Sequence, residues 1–306
     1  MPRRLLAALL TLAVTAGCGN SAAGYTGGRL DLVASFYPLQ FLAERIGGDA
    51  VTVSTLTKPG AEPHDVELNP RQVADVADAG LVIYLRGFQP AVDDAVALEA
   101  KDRSFDAATA VPLLPVDQGA DRHVPGAEHA ETADGMDPHV WLDPVRFAAI
   151  ADRLAERLGR ADPGHAADYT ARAAAVHAEL DALNTEYATR LHDCLRRELV
   201  TSHSAFNYLA TRYGLTQVGI TGISPEAEPS PRRLAAVAAE ARDTGATTIF
   251  FETLVSPKVA ETVAREIGAR TAVLDPLEGL TDPTADYFSV MRANLAALTT
   301  ALGCDS

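Results

Sequence analysis

The chain has 306 residues, 47% of them hydrophobic and 22% charged, a composition that excludes disorder as its main state. Its 41 acidic and 26 basic residues give a net charge of −15 at pH 7, and the basic residues do not gather into a stripe. A nucleic-acid partner is therefore excluded, because binding the phosphate backbone needs clustered lysine and arginine. The length suffices for two domains with sizeable cores.

The N-terminus has the pattern of a secretory signal peptide. Arginines precede an apolar run at residues 5–14, about ten residues long, whereas a membrane span needs roughly 20. The run ends in small residues before Cys18 and resembles the lipobox of bacterial lipoproteins, in which the cysteine is acylated and becomes the new N-terminus. We expect removal of residues 1–17, a lipid on Cys18, a tether over residues 18–28 and a location outside the cytoplasmic membrane. The alternative is an ordinary secretory signal with an incidental cysteine.

The first half of the mature chain predicts one α/β lobe over residues 29–142. Apolar and β-branched runs predict strands at residues 30–35, 51–57 and 81–85. Helical periodicity, capping residues and first-turn prolines predict helices at residues 38–46, 70–79 and 90–98. Apolar strands bounded by helices favour a parallel sheet covered on both faces.

A polar, non-periodic stretch at residues 113–137 predicts a loop that contains His123 and His129. The sequence leaves open whether this loop forms an auxiliary zinc site or is only solvated. Asp143 and Pro144 then predict an N-cap and the first turn of a helical stretch, residues 143–195, interrupted near residue 162. We expect this stretch to be a stiff link between two lobes.

The βα alternation resumes over residues 196–306 and predicts a second α/β lobe. Its predicted strands are at residues 198–202, 215–220, 247–251 and 269–274. Its predicted helices are at residues 205–213, 231–244, 257–268 and 285–302. The predicted fold is therefore α/β, with two lobes that each hold a parallel sheet flanked by helices and that are joined by a long rigid helix.

Candidate metal ligands lie where strands end. His64 and His203 follow predicted strands, His139 lies in the turn before the linking helices, and Asp275 follows the last predicted strand. Ligands bind beyond the carboxyl ends of strands in open parallel sheets, so these side chains are placed to meet in a cleft. Three imidazoles and one carboxylate suit tetrahedral Zn²⁺, and Mn²⁺ would bind such a set more weakly. Spacing alone does not show that the four converge.

Four segments resemble those of the solute-binding proteins of bacterial zinc and manganese ABC importers, in the same order along essentially the whole mature chain. They are residues 60–70 (GAEPHDVELNP), 137–144 (DPHVWLDP), 202–208 (SHSAFNY) and 250–253 (FFET). The resemblance implies a metal ion held between two lobes by His64, His139, His203 and Asp275. It also implies a separate ABC permease and ATPase as partners and, with histidine at position 203, zinc rather than manganese. We expect a monomer.

Two further groups of residues carry open interpretations. Glu252 ends a predicted strand beside the cleft, where it would orient a ligand histidine or form an ion pair. Glu62 is interpreted as a surface acid, with a role as fourth ligand if Asp275 points away. Cys194 and Cys304 are interpreted either as a disulfide or as two separate thiols, since the extracytoplasmic setting permits both.

Competing functions differ from zinc import in class or in metal. Manganese binding by the same architecture is one alternative, and a zinc-dependent hydrolase and a surface adhesin are the others. The sequence contains no HExxH, GxSxG, P-loop or GxGxxG motif. A catalytic zinc site keeps one position open, which Asp275 would fill, so we do not expect an enzyme.

Overall fold

The computed structural model describes residues 24–116 and 135–304. The expected signal peptide, Cys18, His123 and His129 lie outside the described residues. Within the described part of the chain, no helix combines the length and apolar character that crossing a bilayer requires.

The first sheet is parallel except for one short strand. Its strands are Tyr25–Thr26 (β1), Arg29–Ala34 (β2), Val51–Thr55 (β3), Leu81–Tyr84 (β4) and Ser104–Asp106 (β5). β2 pairs in parallel with β3 and β4, β4 pairs in parallel with β5, and β1 runs antiparallel to the start of β2. The predicted parallel sheet is confirmed. The sequence pattern does not predict β1 or β5, because strands this short show no alternation.

Three helices accompany this sheet, Tyr37–Gly47 (α1), Pro70–Asp78 (α2) and Pro90–Ala95 (α3). Asn69 caps α2, because its side chain accepts hydrogen bonds from the first-turn amides while Pro70 occupies the first helical position. The third predicted helix is shorter than expected, since the chain passes into a π-helical turn at Val96–Ala100.

Two helices link the lobes, Pro144–Ala161 (α4) and Ala166–Arg190 (α5). The Asp143 carboxylate caps α4 by accepting the Val145 N–H at 3.0 Å. α5 has 25 residues and is therefore about 37 Å long at 1.5 Å per residue. It ends before the predicted limit of residue 195.

The second sheet is parallel throughout, in the order β7-β6-β8-β9. Its strands are Glu198–Thr201 (β6), Thr216–Gly219 (β7), Thr248–Phe251 (β8) and Arg270–Val273 (β9). The accompanying helices are Asn207–Tyr213 (α6), Pro231–Asp243 (α7), Lys258–Ile267 (α8) and Tyr287–Leu302 (α9). All four strands end on the same edge, which places the loops after them together.

The largest buried cluster runs from the first sheet through the linking helices to α9. Buried aromatic rings, among them Trp141, Tyr187 and Tyr287, fill its centre. Beyond α5, Cys194 is joined by a disulfide to Cys304, which follows α9. The two lobes therefore share a hydrophobic core and are not independent domains joined by a flexible linker.

Candidate metal centre

His64 lies in the loop after β3, and buried side chains of the first lobe hold that loop. The Gln89 amide donates hydrogen bonds to the Thr57 hydroxyl oxygen at 3.0 Å and to the Pro63 carbonyl at 3.1 Å. The His64 and Phe88 rings pack edge to face, with 4.6 Å between ring centroids. His64 is therefore positioned by the first lobe.

His139 lies just before the linking helices, but its segment is tied to the second lobe. The Asp137 carboxylate contacts both the backbone N–H of His139 at 2.9 Å and the ring Nδ1 at 2.8 Å. The Tyr208 hydroxyl donates to the Asp137 carbonyl at 2.7 Å, and Trp141 Nε1 donates to the Pro276 carbonyl at 2.7 Å. A carboxylate on Nδ1 leaves Nε2 as the atom that faces the cleft.

His203 follows β6 and has a similar partner. Its Nδ1 lies 2.8 Å from Oε1 of Glu252, which directly follows β8. The Ser202 hydroxyl donates to the same oxygen at 2.7 Å. Glu252 thus occupies the place in which it would orient a ligand histidine, one of the two roles considered from the sequence.

Glu278 completes the arrangement. Its Oε1 lies 3.3 Å from Nε2 of His64, 3.1 Å from Nε2 of His139 and 3.3 Å from Nε2 of His203. One ligand atom from each of these residues lies within 4.8 Å of all the others, and we call this group the His-Glu cluster. His64 is 7% exposed and the other three are at most 1% exposed.

The atoms of the His-Glu cluster fit a metal ion. Nε2 of His139, Nε2 of His203 and Oε2 of Glu278 are buried and have no hydrogen-bond partner. Buried polar atoms without partners cost free energy, so their convergence calls for a shared cation. Three imidazole nitrogens and one carboxylate oxygen are a donor set for tetrahedral Zn²⁺.

The fourth member of the group differs from the predicted Asp275. Oδ1 of Asp275 accepts the Leu277 N–H at 2.7 Å, and Oδ2 accepts the Thr253 hydroxyl at 2.8 Å, so Asp275 supports a turn. Glu62 also lies outside the His-Glu cluster, and it is not the surface acid that the sequence predicts. Its Oε2 is buried, and its Oε1 accepts the His64 backbone N–H at 2.7 Å. Glu278 is not among the predicted ligands, although a second carboxylate in the loop of Asp275 is a signal that points to it.

The imidazoles differ in basicity. Burial lowers the pKa of His64, and the nearby Glu278 carboxylate offsets only part of that effect. Burial also opposes protonation of His139, but the carboxylates of Asp137 and Glu278 that face its two ring nitrogens prevail and raise its pKa. For His203, burial is outweighed by the two carboxylates that face it, and the pKa is raised well above its usual value.

The two acids nearest the centre shift in opposite directions. Burial disfavours the Glu278 anion, but the surrounding imidazoles, His203 first, lower its pKa well below the usual value. Burial and the negative charge of Glu278 raise the pKa of Glu62 to about 9. At neutral pH, Glu278 is therefore the charged acid and Glu62 is neutral.

A cavity of about 360 Å³ adjoins Glu278. Its walls come from α1 (Tyr37 and Gln40), from Lys58 in the His64 loop, and from the loop that follows Glu278. The carboxylate is thus both a member of the buried His-Glu cluster and part of a cavity wall between the lobes.

The remaining described histidines lie away from this centre. Each pairs through Nδ1 with an aspartate of its own surroundings: His165 with Asp162, His177 with Asp152, and His192 with Asp193. Among the described residues, the His-Glu cluster is the one group of this type whose ligand atoms converge.

Two α/β lobes with a candidate metal centre between them define the chain as a two-lobed binding protein. The family model described as zinc-uptake complex component A, periplasmic, matches residues 32–301. The chain belongs to this family.

Known relatives agree with that membership. The chain is 36% identical over 286 residues to the zinc-binding protein AdcA of Streptococcus pyogenes, an alignment that covers 89% of this chain and 56% of the relative. It thus spans little more than half the length of that protein. It is 34% identical over 301 residues to the high-affinity zinc uptake system protein ZnuA of Bacillus subtilis, with 93% of this chain and 92% of the relative covered.

A solved structure shows the same fold with its metal. The Zn(II)-bound ZnuA-like domain of Streptococcus pneumoniae AdcA superposes with a TM-score of 0.75 at 34% identity, and the match covers 90% of this chain and 99% of that domain.

Proposed function

We propose that this protein is the extracytoplasmic zinc-binding component of an ABC importer and that His64, His139, His203 and Glu278 hold the ion. The observation that carries the proposal is the convergence of one ligand atom from each of four buried side chains within 4.8 Å. The zinc named in the descriptions of both relatives supports the choice of metal. The ion is the cargo, which the protein captures and delivers to a separate permease and ATPase.

Capture follows from how the side chains are held. Asp137 and Glu252 fix two imidazoles through Nδ1, so these ligands lose little conformational freedom when the ion binds. The Glu278 carboxylate argues against an enzyme, because it occupies the position that a catalytic zinc site leaves open for water. The proposal also includes a monomer anchored through a lipid on Cys18.

Competition with a chromophoric chelator tests the proposal on purified protein stripped of metal. We expect tight zinc binding with one ion per chain, and a severe loss of affinity in His64→Ala, His139→Ala and His203→Ala, because each leaves three ligands. His192→Ala is the matched control, since that histidine is 77% exposed at its side chain. Wild-type affinity in all three cluster variants would refute the ligand assignment.

The alternative cargo is manganese, which the same experiment addresses. A His₃-carboxylate site binds zinc more tightly than manganese, in accordance with the order of affinities of divalent metals for nitrogen ligands. We therefore expect zinc to displace manganese from the loaded protein. Retention of manganese in the presence of equimolar zinc would reverse the assignment of the cargo.

A further inference from the structure

The loop that carries Glu278 contains an unusual backbone conformation. Leu277 has φ of 61°, the one left-handed residue other than glycine among the described residues. A residue with a Cβ rarely adopts this conformation, because its side chain crowds the carbonyl oxygen. Leu277 directly precedes Glu278, so the direction in which the Glu278 side chain leaves the loop depends on this turn.

Neighbouring side chains stabilise the turn. The Asp275 carboxylate accepts the Leu277 N–H at 2.7 Å and is itself held by the Thr253 hydroxyl at 2.8 Å. Asn294 on α9 holds the backbone of Asp275 from both sides, accepting its N–H at 2.9 Å and donating to its carbonyl at 2.7 Å. Asn294 is 2% exposed, so its bonds form away from water.

Glu278 has little else to orient it. Its Oε1 faces the imidazoles of the His-Glu cluster, and its Oε2 is buried without a hydrogen-bond partner. The histidines differ in this respect, since His139 and His203 are each oriented by a carboxylate on Nδ1. The backbone before Glu278 therefore orients the carboxylate, as Asp137 and Glu252 orient the imidazoles.

We infer that Asp275 is a positioning residue for Glu278: with Asn294, it locks the left-handed turn at Leu277 and so aims the Glu278 carboxylate at the metal. This inference rests on the proposed zinc-binding function. Asp275 acts through hydrogen bonds and does not contact the ion.

Paired substitutions at Asp275 test this role by zinc competition. Asp275→Ala removes both hydrogen bonds, and we expect about 10- to 100-fold weaker zinc binding, the range found when partners of metal ligands are removed. Asp275→Asn keeps an oxygen that can accept the Leu277 N–H, and we expect it to restore most of the affinity. Leu277→Gly in the Asp275→Ala background should recover part of the loss, because glycine adopts the left-handed conformation without steric cost.

A matched control and a metal-independent measurement complete the test. Leu298→Ala removes a buried apolar side chain from the same helix as Asn294 but none of the hydrogen bonds to Asp275, and we expect unchanged zinc affinity in the folded protein. In the metal-free protein, Asp275→Ala should speed hydrogen exchange of the Leu277 amide, whereas Asp275→Asn should not. This exchange reports on the turn even if zinc binding itself fails, so the two proposals can be judged separately.

Two results would overturn the inference. The first is unchanged zinc affinity and unchanged exchange in Asp275→Ala. The second is an Asp275→Asn variant that loses as much affinity as Asp275→Ala, because the charge rather than the hydrogen bond would then be what matters.

Discussion

Replacing Glu252 by glutamine should change both the strength of zinc binding and its dependence on pH. Glu252 is 2% exposed, and its Oε1 lies 2.8 Å from Nδ1 of His203. A glutamine oxygen can still accept the Nδ1–H bond, so the ring keeps its orientation while the negative charge disappears. Substitution of such a partner typically weakens metal binding by about 10- to 100-fold, which corresponds to about 1.4 to 2.7 kcal/mol. We expect Glu252→Gln at the lower end of this range, because it removes the charge and keeps the hydrogen bond.

The sign of the pH effect follows from the pKa of His203. Glu252 and Glu278 raise this pKa despite burial and the neighbouring imidazoles of His64 and His139. In the wild type, zinc must therefore displace a proton from His203 at any pH below that raised pKa. Removal of the Glu252 charge lowers the pKa of His203, so a smaller fraction of this imidazole is protonated in the variant at a given pH. Zinc then displaces fewer protons when it binds. The difference in zinc affinity between the wild type and Glu252→Gln should be largest at high pH. It should become smaller as the pH falls, because proton competition then weakens the wild type more than the variant.

Isothermal titration calorimetry in buffers of different ionisation enthalpy measures both the zinc affinity and the number of protons released on binding. Zinc should release protons from His139 and His203 in the wild type, and fewer protons in Glu252→Gln. Ser202→Ala is the control, because it removes a neutral hydrogen bond to the same Glu252 oxygen and should give a curve parallel to that of the wild type. Equal proton release in wild type and Glu252→Gln, with parallel pH curves, would refute this account of the site.

Three further predictions concern stability. Burial raises the pKa of Asp93 to about 6, so the folded state favours its protonated form and loses stability as pH rises through that value. Asp93→Asn should abolish this decline and, after allowance for solvent screening, add up to about 1 kcal/mol at pH 7 in urea unfolding. Reduction of the Cys194–Cys304 disulfide, which spans 110 residues, should cost about 4 to 5 kcal/mol by the loop-entropy relation, and an unchanged unfolding midpoint with reductant would contradict this. Tyr208→Phe leaves the buried carbonyl of Asp137 without its donor and should cost about 1 to 3 kcal/mol, whereas an unchanged melting temperature would show that water replaces the hydroxyl.

Local signals explain why most of the fold could be predicted. Asn69 with Pro70 and Asp143 with Pro144 fix helix starts through side-chain caps and first-turn prolines, and both act within a few residues of sequence. The strand β5 has neither a cap nor a period, and only its pairing with β4 makes it a strand. Elements that depend on distant partners are therefore the ones that the local sequence does not predict.

The site residues also fall into those that the local sequence predicts and one that depends on distant contacts. His64 and His203 could be placed at a sheet edge because each follows a strand, and a single chain direction determines which edge that is. The choice between Asp275 and Glu278 could not be made, because it depends on the left-handed conformation of Leu277. The local sequence does not predict this conformation, because Asn294, which holds the backbone of Asp275, lies 19 residues after it in the chain.

The attachment of the Asp137–Asp143 segment to the second lobe has a mechanical consequence. Hydrogen bonds thereby tie the His139 segment to the lobe that carries His203 and Glu278, while its Trp141 ring also packs against Phe88 of the first lobe. The hydrogen bonds of Gln89 tie the His64 loop to the first lobe alone. Displacing only the His64 loop would withdraw a single imidazole and leave the other three donors in their mutual geometry. An ion bound there would then keep three of its four ligands, so the ligands would leave it one after another and not all at once.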